Sequence, residues 1–599
     1  MDKVAGKYNE LLAANPGSAI EQLAAYTKTL PEFEDAVAKD GTVVAHFKDH
    51  RPFIFLDNFR SDIGAGSPEA PLMESAVSPL PSKKTALVLQ SSLDDTQGGT
   101  PALNQIGEAL TKRGYSTVKA IGIEVDTLKS IGQSLGAFYI HTHGAQFWWH
   151  DQFDSREYGI VTDTLVSDEN EAKYAEDIKM GRLIYSRVKD KPADPDGNRG
   201  RYTFTSRFVA AYMSMKDKGL AYINACNSAS QDAELMKLAF LNKGAGAYIG
   251  YDGKTTAYGY EPAAYFFDRL LGANIAEAPD PAGRPFTLDE VWERMSTKKH
   301  AQSPAYNYLT DPFLGSKLMM FEGGMTLLTP NVKGLKFYYN NYMGIATDVP
   351  AGTQGLTVTI DGQSFPYEWN NGLIMVQLEE DTKGYVQLEV DGRFSNKRPI
   401  VSWKGLITYV QPIAPGGGGG DAKLTVKYNV HLRADAYAVR NKVDGPLLDE
   451  GTPFYAAMDS KASYEFSGSI GTANWSGSGT FPIGRHPGPG NLFSTTGLVL
   501  SSEKRIKILP NFFEPVATVS GPGGSFSQVY APHIGGWEFT DTLPVPGREI
   551  VYRGWYLELD DNLNIKPKTY EGRLQGIWMH TISWQQMSAE PKYEPSVER

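Results

Sequence analysis

Leu220-Ala221-Tyr222-Ile223-Asn224-Ala225-Cys226 is an apolar run that ends on the only cysteine in 599 residues, and the small polar stretch Asn227-Ser228-Ala229-Ser230 follows it. The run reads as a short strand with the thiol at its carboxyl end. No disulfide can form within the chain, so Cys226 acts as a free thiol: in packing, in metal ligation or in nucleophilic attack.

Working outward, the same strand and helix alternation extends on both sides. Thr85 to Gln90 predicts a strand, and a helix follows with Thr100 as its cap, Pro101 in its first turn, Leu103, Ile106 and Leu110 on its apolar face and Gly114 at its end. Ser116 to Ile121 predicts a second strand, Asp126 opens a helix with Leu128, Ile131 and Leu135 at helical spacing, and Ala137 to His141 predicts a third strand. After an insertion at 147–205, Ser206 to Lys218 reads as a helix ended by Gly219. Leu220 to Ala225 is then the fourth strand, Ala233 to Asn242 a helix and Ala247 to Gly250 a fifth strand. Strands separated by helices of this length imply a mainly parallel sheet in a three-layer α/β sandwich. Sites in such sheets form at the carboxyl ends of the strands, where both His143 and Cys226 fall.

Composition sets the outer bounds. The length allows several domains, and 41% hydrophobic residues suffice for folded cores. With 58 Lys plus Arg against 69 Asp plus Glu, a formal charge of -11 and no dense basic cluster, nucleic acid and anionic membrane are disfavoured as partners. Apolar stretches such as Phe53 to Leu56 and Ala86 to Leu89 fall far short of the roughly 20 residues of a membrane span, so no membrane insertion is expected. The start Met1-Asp2-Lys3-Val4 lacks a secretory apolar core, although a mature form behind a new Met would look the same. Scarce cysteine with 61 Gly, 32 Tyr and 10 Trp leans towards an exported or cell-surface protein.

Residues 1–82 read as short helices followed by strands at Thr42 to His46 and Pro52 to Leu56, and Pro68, Pro71, Pro79 and Pro81 mark a boundary. The α/β core then spans 83–322. Beyond about Gly323 alternating strands such as Thr357 to Ile360, Leu373 to Leu378 and Tyr385 to Val390 predict a β-sandwich over 323–415. Gly416 to Gly420 reads as a flexible hinge before a β-rich domain at 421–599.

The strand Ala137-Phe138-Tyr139-Ile140-His141 runs into Thr142-His143-Gly144-Ala145. A His-Gly pair after an apolar strand lets the imidazole leave the sheet edge, while glycine allows close backbone approach. A lone histidine or buried cysteine is more often structural. Together, at the ends of neighbouring strands, they suit thiol chemistry, with imidazole moving protons and thiolate attacking.

These features resemble the gingipain-like branch of the caspase-type cysteine peptidases, whose core places a His-Gly after one strand and an Ala-Cys after the next. Here Tyr139 to Gly144 and Ile223 to Cys226 carry the likeness. Ala239 to Gly250 is similar to the helix and strand after the nucleophile, and Tyr308-Leu309-Thr310-Asp311-Pro312-Phe313-Leu314 to the family's Gly-Asp-Pro close, with Thr310 in place of glycine. The likeness covers roughly 84–320, and the family's following immunoglobulin-like domain would suit 325–415. It implies a cysteine endopeptidase with Cys226 as nucleophile, His143 as acid and base, and the backbone N–H groups of Gly144 and Cys226 as oxyanion donors. It implies a protein or peptide substrate and no required cofactor. Asp232 or Asp252 would line a pocket for Arg or Lys, against the blander reading of solvated charges; Trp148, Trp149 and His150 would wall the cleft or simply pack locally.

Further readings stand beside this one. Asp194-Pro195-Asp196-Gly197-Asn198-Arg199-Gly200-Arg201 has the spacing of a calcium loop but lacks its later glutamate, so a solvated turn is favoured and a structural calcium stays open. Basic residues there would also suit a processing site, and residues 1–82 a propeptide. His141-Thr142-His143 begins like the His-x-His of binuclear zinc hydrolases, but Ala145 and Gln146 stand where Asp and His would continue it. Finally, a surface-binding protein with a degenerate peptidase core would use its exposed aromatic residues for recognition. Oligomeric state and the physiological substrate are not legible.

Overall fold

The computed structural model describes residues 18–39, 42–48, 52–56, 80–92, 99–148, 156–186, 201–215, 218–256, 259–273, 284–338, 341–380, 382–412, 420–435, 453–456, 460–482, 497–500, 505–508, 516–522, 526–530, 538–541, 550–553, 555–560, 564–574 and 578–586, with single positions before residue 18. The chain divides into two compact units, Met1–Ala276 with Pro285–Thr329, and Glu277–Arg284 with Pro330–Arg599.

The first unit contains helix α1 (Ala19–Thr29) and an antiparallel sheet of β1 (Phe33–Lys39), β2 (Thr42–Phe47) and β3 (Pro52–Leu56). Next come β4 (Thr85–Gln90), α2 (Gly99–Lys112), β5 (Ser116–Ile121), α3 (Val125–Ile131) and β6 (Leu135–His141). After a second small sheet come α6 (Ser206–Tyr212), β11 (Gly219–Asn224), α7 (Glu234–Asn242), β12 (Ala245–Tyr251), α8 (Tyr260–Leu271), α9 (Leu288–Thr297) and β13 (Leu318–Glu322). Six of these strands form one sheet in the order β13-β12-β11-β6-β4-β5, parallel except for β13, which pairs antiparallel with β12.

Both faces of the sheet are covered. Ala86, Val88, Tyr139, Tyr222 and Ile249 pack with Leu103, Ile106 and Leu110 of α2, Phe266 of α8 and Val291 of α9. Their neighbours along the same strands, Leu87, Leu89, Phe138, Ile140, Ile223 and Tyr248, pack with Leu128 of α3, Phe208 of α6 and Phe240 of α7. Because side chains alternate across a strand, a strand covered on both faces must be apolar almost throughout, and that is why these runs are legible as strands. Five of the six were expected; the sixth, β13, adds an antiparallel edge.

Several boundaries differ from the sequence reading, each for a local reason. Thr100 lies inside α2 rather than capping it, since the helix starts at Gly99. Leu135 begins β6, after a 3₁₀ turn at Gly132–Ser134 ends the helix early. The helix from Ser206 stops at Tyr212, and Gly219 is already in β11. The segment read as an insertion contains most of a four-stranded antiparallel sheet, β7 (Gly144–Trp148), β8 (Arg156–Leu165), β10 (Arg201–Thr205) and β9 (Leu183–Ser186), with helices α4 (Asp168–Lys173) and α5 (Ala175–Lys179). Residues 187–200, with the calcium-like spacing, lie outside the described residues.

A buried carboxylate ties this second sheet to the first. Asp163 of β8 accepts hydrogen bonds from the Ser91 hydroxyl (3.1 Å), from Ser92 N–H and hydroxyl, and from Ile123 N–H (2.7 Å), so one side chain gathers the segments that leave β4 and β5. Arg201 of β10 lies 3.6 Å from the same carboxylate.

In the second unit, β14 (Gly334–Phe337), β15 (Tyr342–Ala346), β19 (Leu373–Gln377) and β18 (Tyr367–Asn370) form one antiparallel sheet. The strands Leu356–Ile360, Gln363–Phe365, Tyr385–Val390, Arg393–Phe394 and Arg398–Pro399 form another, with the burial alternation of half-buried strands. β23 (Val401–Pro412) pairs along its whole length with β24 (Lys423–Ala434) in a 12-stranded sheet. The glycine run read as a hinge lies outside the described residues except for Gly420. The end of β24 docks back: Arg433 donates to the carbonyls of Glu379 and Glu380 (both 3.1 Å), and Asp435 accepts the Phe337 N–H at 2.7 Å.

Two stability measurements follow from these carboxylates. Asp163→Ala should cost about 3–5 kcal/mol in urea unfolding, as expected when one partner of a buried charged network is removed. Burial pushes the Asp435 carboxyl up to about 7, against the opposing pull of the Phe337 N–H and Lys336. The folded chain therefore holds that proton more tightly than the unfolded chain does. Its contribution is fully present below the ordinary carboxylate value and is lost as pH rises to about 7, a change of a few kcal/mol at most by linkage. Asp435→Asn should flatten the stability profile between about pH 4 and pH 7.

Candidate active site

His143 and Cys226 follow the ends of two neighbouring strands. β6 and β11 are adjacent and parallel, with Leu220 opposite Ala137 and Asn224 opposite His141. The Thr142 N–H extends the ladder by donating to the Asn224 carbonyl at 3.1 Å. His143 and Cys226 each follow, two positions on, the last paired residues of these neighbouring strands, on the carboxyl side of the sheet.

Glycine at position 144 is a steric requirement. A Cβ there would lie 2.1 Å from the Cys226 carbonyl oxygen and 2.2 Å from the Tyr158 hydroxyl. The Tyr158 hydroxyl donates to that same carbonyl at 3.0 Å, and burial, then Tyr248 and Cys226, push the phenol well above its ordinary pKa, so it stays a neutral donor. Gly144 faces Ile160 across β7 and β8, and the neighbouring Val161 N–H donates to the His143 carbonyl at 3.0 Å. That pattern makes Gly144 and Ile160 a non-hydrogen-bonded pair, so the Gly144 N–H points away from β8. On this edge strand it is a donor outside the ladder.

The turn after the thiol is fixed from three sides. Asn227 has φ of 58°, in the left-handed region that asparagine tolerates better than most residues, which lets the chain reverse directly after Cys226. Its N–H donates to the Gly253 carbonyl (2.6 Å), and the Ala229 N–H to the Tyr251 carbonyl (2.7 Å). The Ser228 hydroxyl donates to the Ile223 carbonyl (2.8 Å) and accepts from the Tyr251 N–H (2.9 Å), while the Tyr248 hydroxyl donates to the Ser228 carbonyl at 2.6 Å. Cys226 itself is half-buried and in no disulfide, with the Thr255 N–H and the Thr255 carbonyl each 3.4 Å from its sulfur.

The other expected site residues are more scattered. Asp252 is exposed, and its carboxylate accepts the Lys317 N–H at 2.7 Å, which joins the ends of β12 and β13. Asp232 is half-buried in the short 3₁₀ segment Gln231–Ala233. Trp148 is the last residue of β7, and Trp149 and His150 lie outside the described residues. His141 is buried at the end of β6, and among the described residues no group of three His, Cys, Asp or Glu is placed to hold a metal ion. Tyr158 and Thr255 had no signal in the sequence, because each reaches Cys226 only through tertiary packing. Among the described residues no helix is long and apolar enough to cross a membrane.

Compared with family models, curated proteins and solved structures, the chain matches none.

Gly144→Ala must displace the Cys226 carbonyl or Tyr158, and overpacking of this kind costs about 1–3 kcal/mol. Denaturant unfolding should show that loss, together with slower alkylation of Cys226. Tyr158→Phe, which leaves the carbonyl without its donor and adds no bulk, should cost about 1–3 kcal/mol.

Proposed function

We propose that the first unit is a cysteine endopeptidase of the gingipain-like, caspase-type kind. The observation that supports this reading is the β6–β11 register: His143-Gly144 and the only thiol of the chain follow the carboxyl ends of two neighbouring parallel strands. Cys226 as thiolate attacks the peptide carbonyl carbon, and the carbonyl electron pair moves onto oxygen. His143 then gives its proton to the leaving amine, the C–N bond breaks and an acyl-enzyme thioester remains. His143 next takes a proton from water as the water oxygen attacks the thioester carbonyl; the C–S bond breaks, the carboxylic acid leaves, and the Cys226 thiolate is restored with the proton back on His143.

The backbone N–H groups of Gly144 and Cys226 serve the oxyanion, and each such donor is worth roughly 3–4 kcal/mol in the transition state. The outward N–H of Gly144 supports that role. Acidic Asp232 and Asp252, on the segments following β11 and β12, favour a substrate with Arg or Lys before the scissile bond. The antiparallel sheets over 334–399 are compatible with the immunoglobulin-like domain that accompanies such cores.

A fluorogenic peptide library tests the reading. Cleavage should vanish in Cys226→Ala and after iodoacetamide, fall by about 10²- to 10⁴-fold in His143→Ala, and persist in EDTA. Cleavage that survives in Cys226→Ala but is lost with a chelator would replace the thiol mechanism by a metal-dependent one. No cleavage of any peptide, before or after trimming of the N-terminal region, would leave a binding protein.

A further inference from the structure

Asp311 lies in the connection before β13, far in sequence from Cys226, and is 3% exposed. Both of its carboxylate oxygens are engaged. Oδ2 accepts from the Thr255 hydroxyl (3.1 Å), the Thr256 N–H (2.8 Å) and the Thr256 hydroxyl (2.9 Å). Oδ1 accepts from the N–H groups of Phe313 (2.9 Å) and Leu314 (2.8 Å). Burial disfavours the charged carboxylate, but the donors from Thr256, Leu314 and Phe313 outweigh it and hold the carboxyl below its ordinary pKa. Nearby, the Ser316 hydroxyl donates to the Lys254 carbonyl at 2.6 Å, so residues 254–256 are held from both ends by the 311–316 turn.

The segment held in this way carries Thr255, whose N–H is aimed at the Cys226 sulfur. A donor to sulfur stabilises the thiolate over the thiol, and the Thr255 carbonyl, also 3.4 Å from the sulfur, favours the thiol. The S–H group is a weak donor and a bond to an ionised acceptor is roughly twice as strong as a neutral one, so the N–H contact outweighs the carbonyl. We propose that Asp311 is a positioning residue for Cys226: through the Thr255 hydroxyl and Thr256 it fixes the Thr255 N–H against the sulfur and so raises the fraction of reactive thiolate at neutral pH. This rests on Cys226 being the nucleophile of the proposed peptidase. Asp311 touches neither the sulfur nor a reacting atom, and its effect runs through the intervening backbone.

The sign of the effect makes the inference testable. A nearby negative carboxylate by itself disfavours a thiolate, so removing the charge alone would ease ionisation of Cys226. Loss of an aligned N–H donor acts in the opposite direction. The experiment is iodoacetamide alkylation of the full chain as a function of pH, followed by mass spectrometry, with thermal melting to establish that each variant is folded.

Asp311→Ala should move the alkylation midpoint upward by about one unit and slow the reaction at pH 7 roughly tenfold, with a smaller shift in Asp311→Asn. Thr255→Val keeps the carboxylate and the backbone N–H but deletes one bond to Asp311, and it should shift in the same direction by less. It carries the test if Asp311→Ala does not fold. A midpoint that is unchanged, or that moves to lower pH, in the folded variants overturns the inference. Alkylation needs no substrate, so an upward shift without peptide cleavage would count against the peptidase reading alone.

Discussion

The ladder between β6 and β11 is the constraint from which the site is built. Leu220 to Asn224 pair one for one with Ala137 to His141, and every residue of both strands is buried. In a parallel pair the register sets how far each chain has travelled when it leaves the sheet. A slip of one residue would invert the faces of a whole strand, turning Phe138 and Ile140 or Tyr222 out of the cores they fill. Packing on both faces therefore enforces the register, and the register delivers two polar ends side by side.

What surrounds the thiol comes from four further places in the chain. Gly144 gives up a side chain so that β7 can start against the Cys226 carbonyl, and Tyr158 reaches across from β8 to hold that carbonyl. The ends of β12 and the 311–316 turn supply Thr255 and the carboxylate behind it. Two of these contacts satisfy backbone groups near the edge of a buried sheet, the Cys226 carbonyl by Tyr158 and the Thr255 N–H by the sulfur. The same bonds that satisfy the backbone also restrict the sulfur to a defined setting.

The second unit uses different means to join its parts. Its long β23 and β24 strands pair along their whole length, and the far end of β24 is anchored by Arg433 on the Glu379 and Glu380 carbonyls and by Asp435 on Phe337.

The parallel strands could be read directly from the chain, because a strand covered on both faces must be apolar at nearly every position, as Thr85–Gln90, Leu135–His141 and Gly219–Asn224 are. Their ends could be read as well, so Cys226 and His143-Gly144 stood out before any folding was known. The antiparallel sheet of β7 to β10 was not legible, since residues such as Glu157, Thr162 and Asp163 are buried through hydrogen bonds and ion pairs that a hydropathy pattern cannot show. Nor could the roles of Tyr158, Thr255 and Asp311 be anticipated. Local sequence determined which segments become strands and which residues end them, because that depends on side-chain periodicity. Tertiary structure alone decided which ends meet, since the strand order and the hydrogen bonds around Cys226 join residues whose separation along the chain carries no signal.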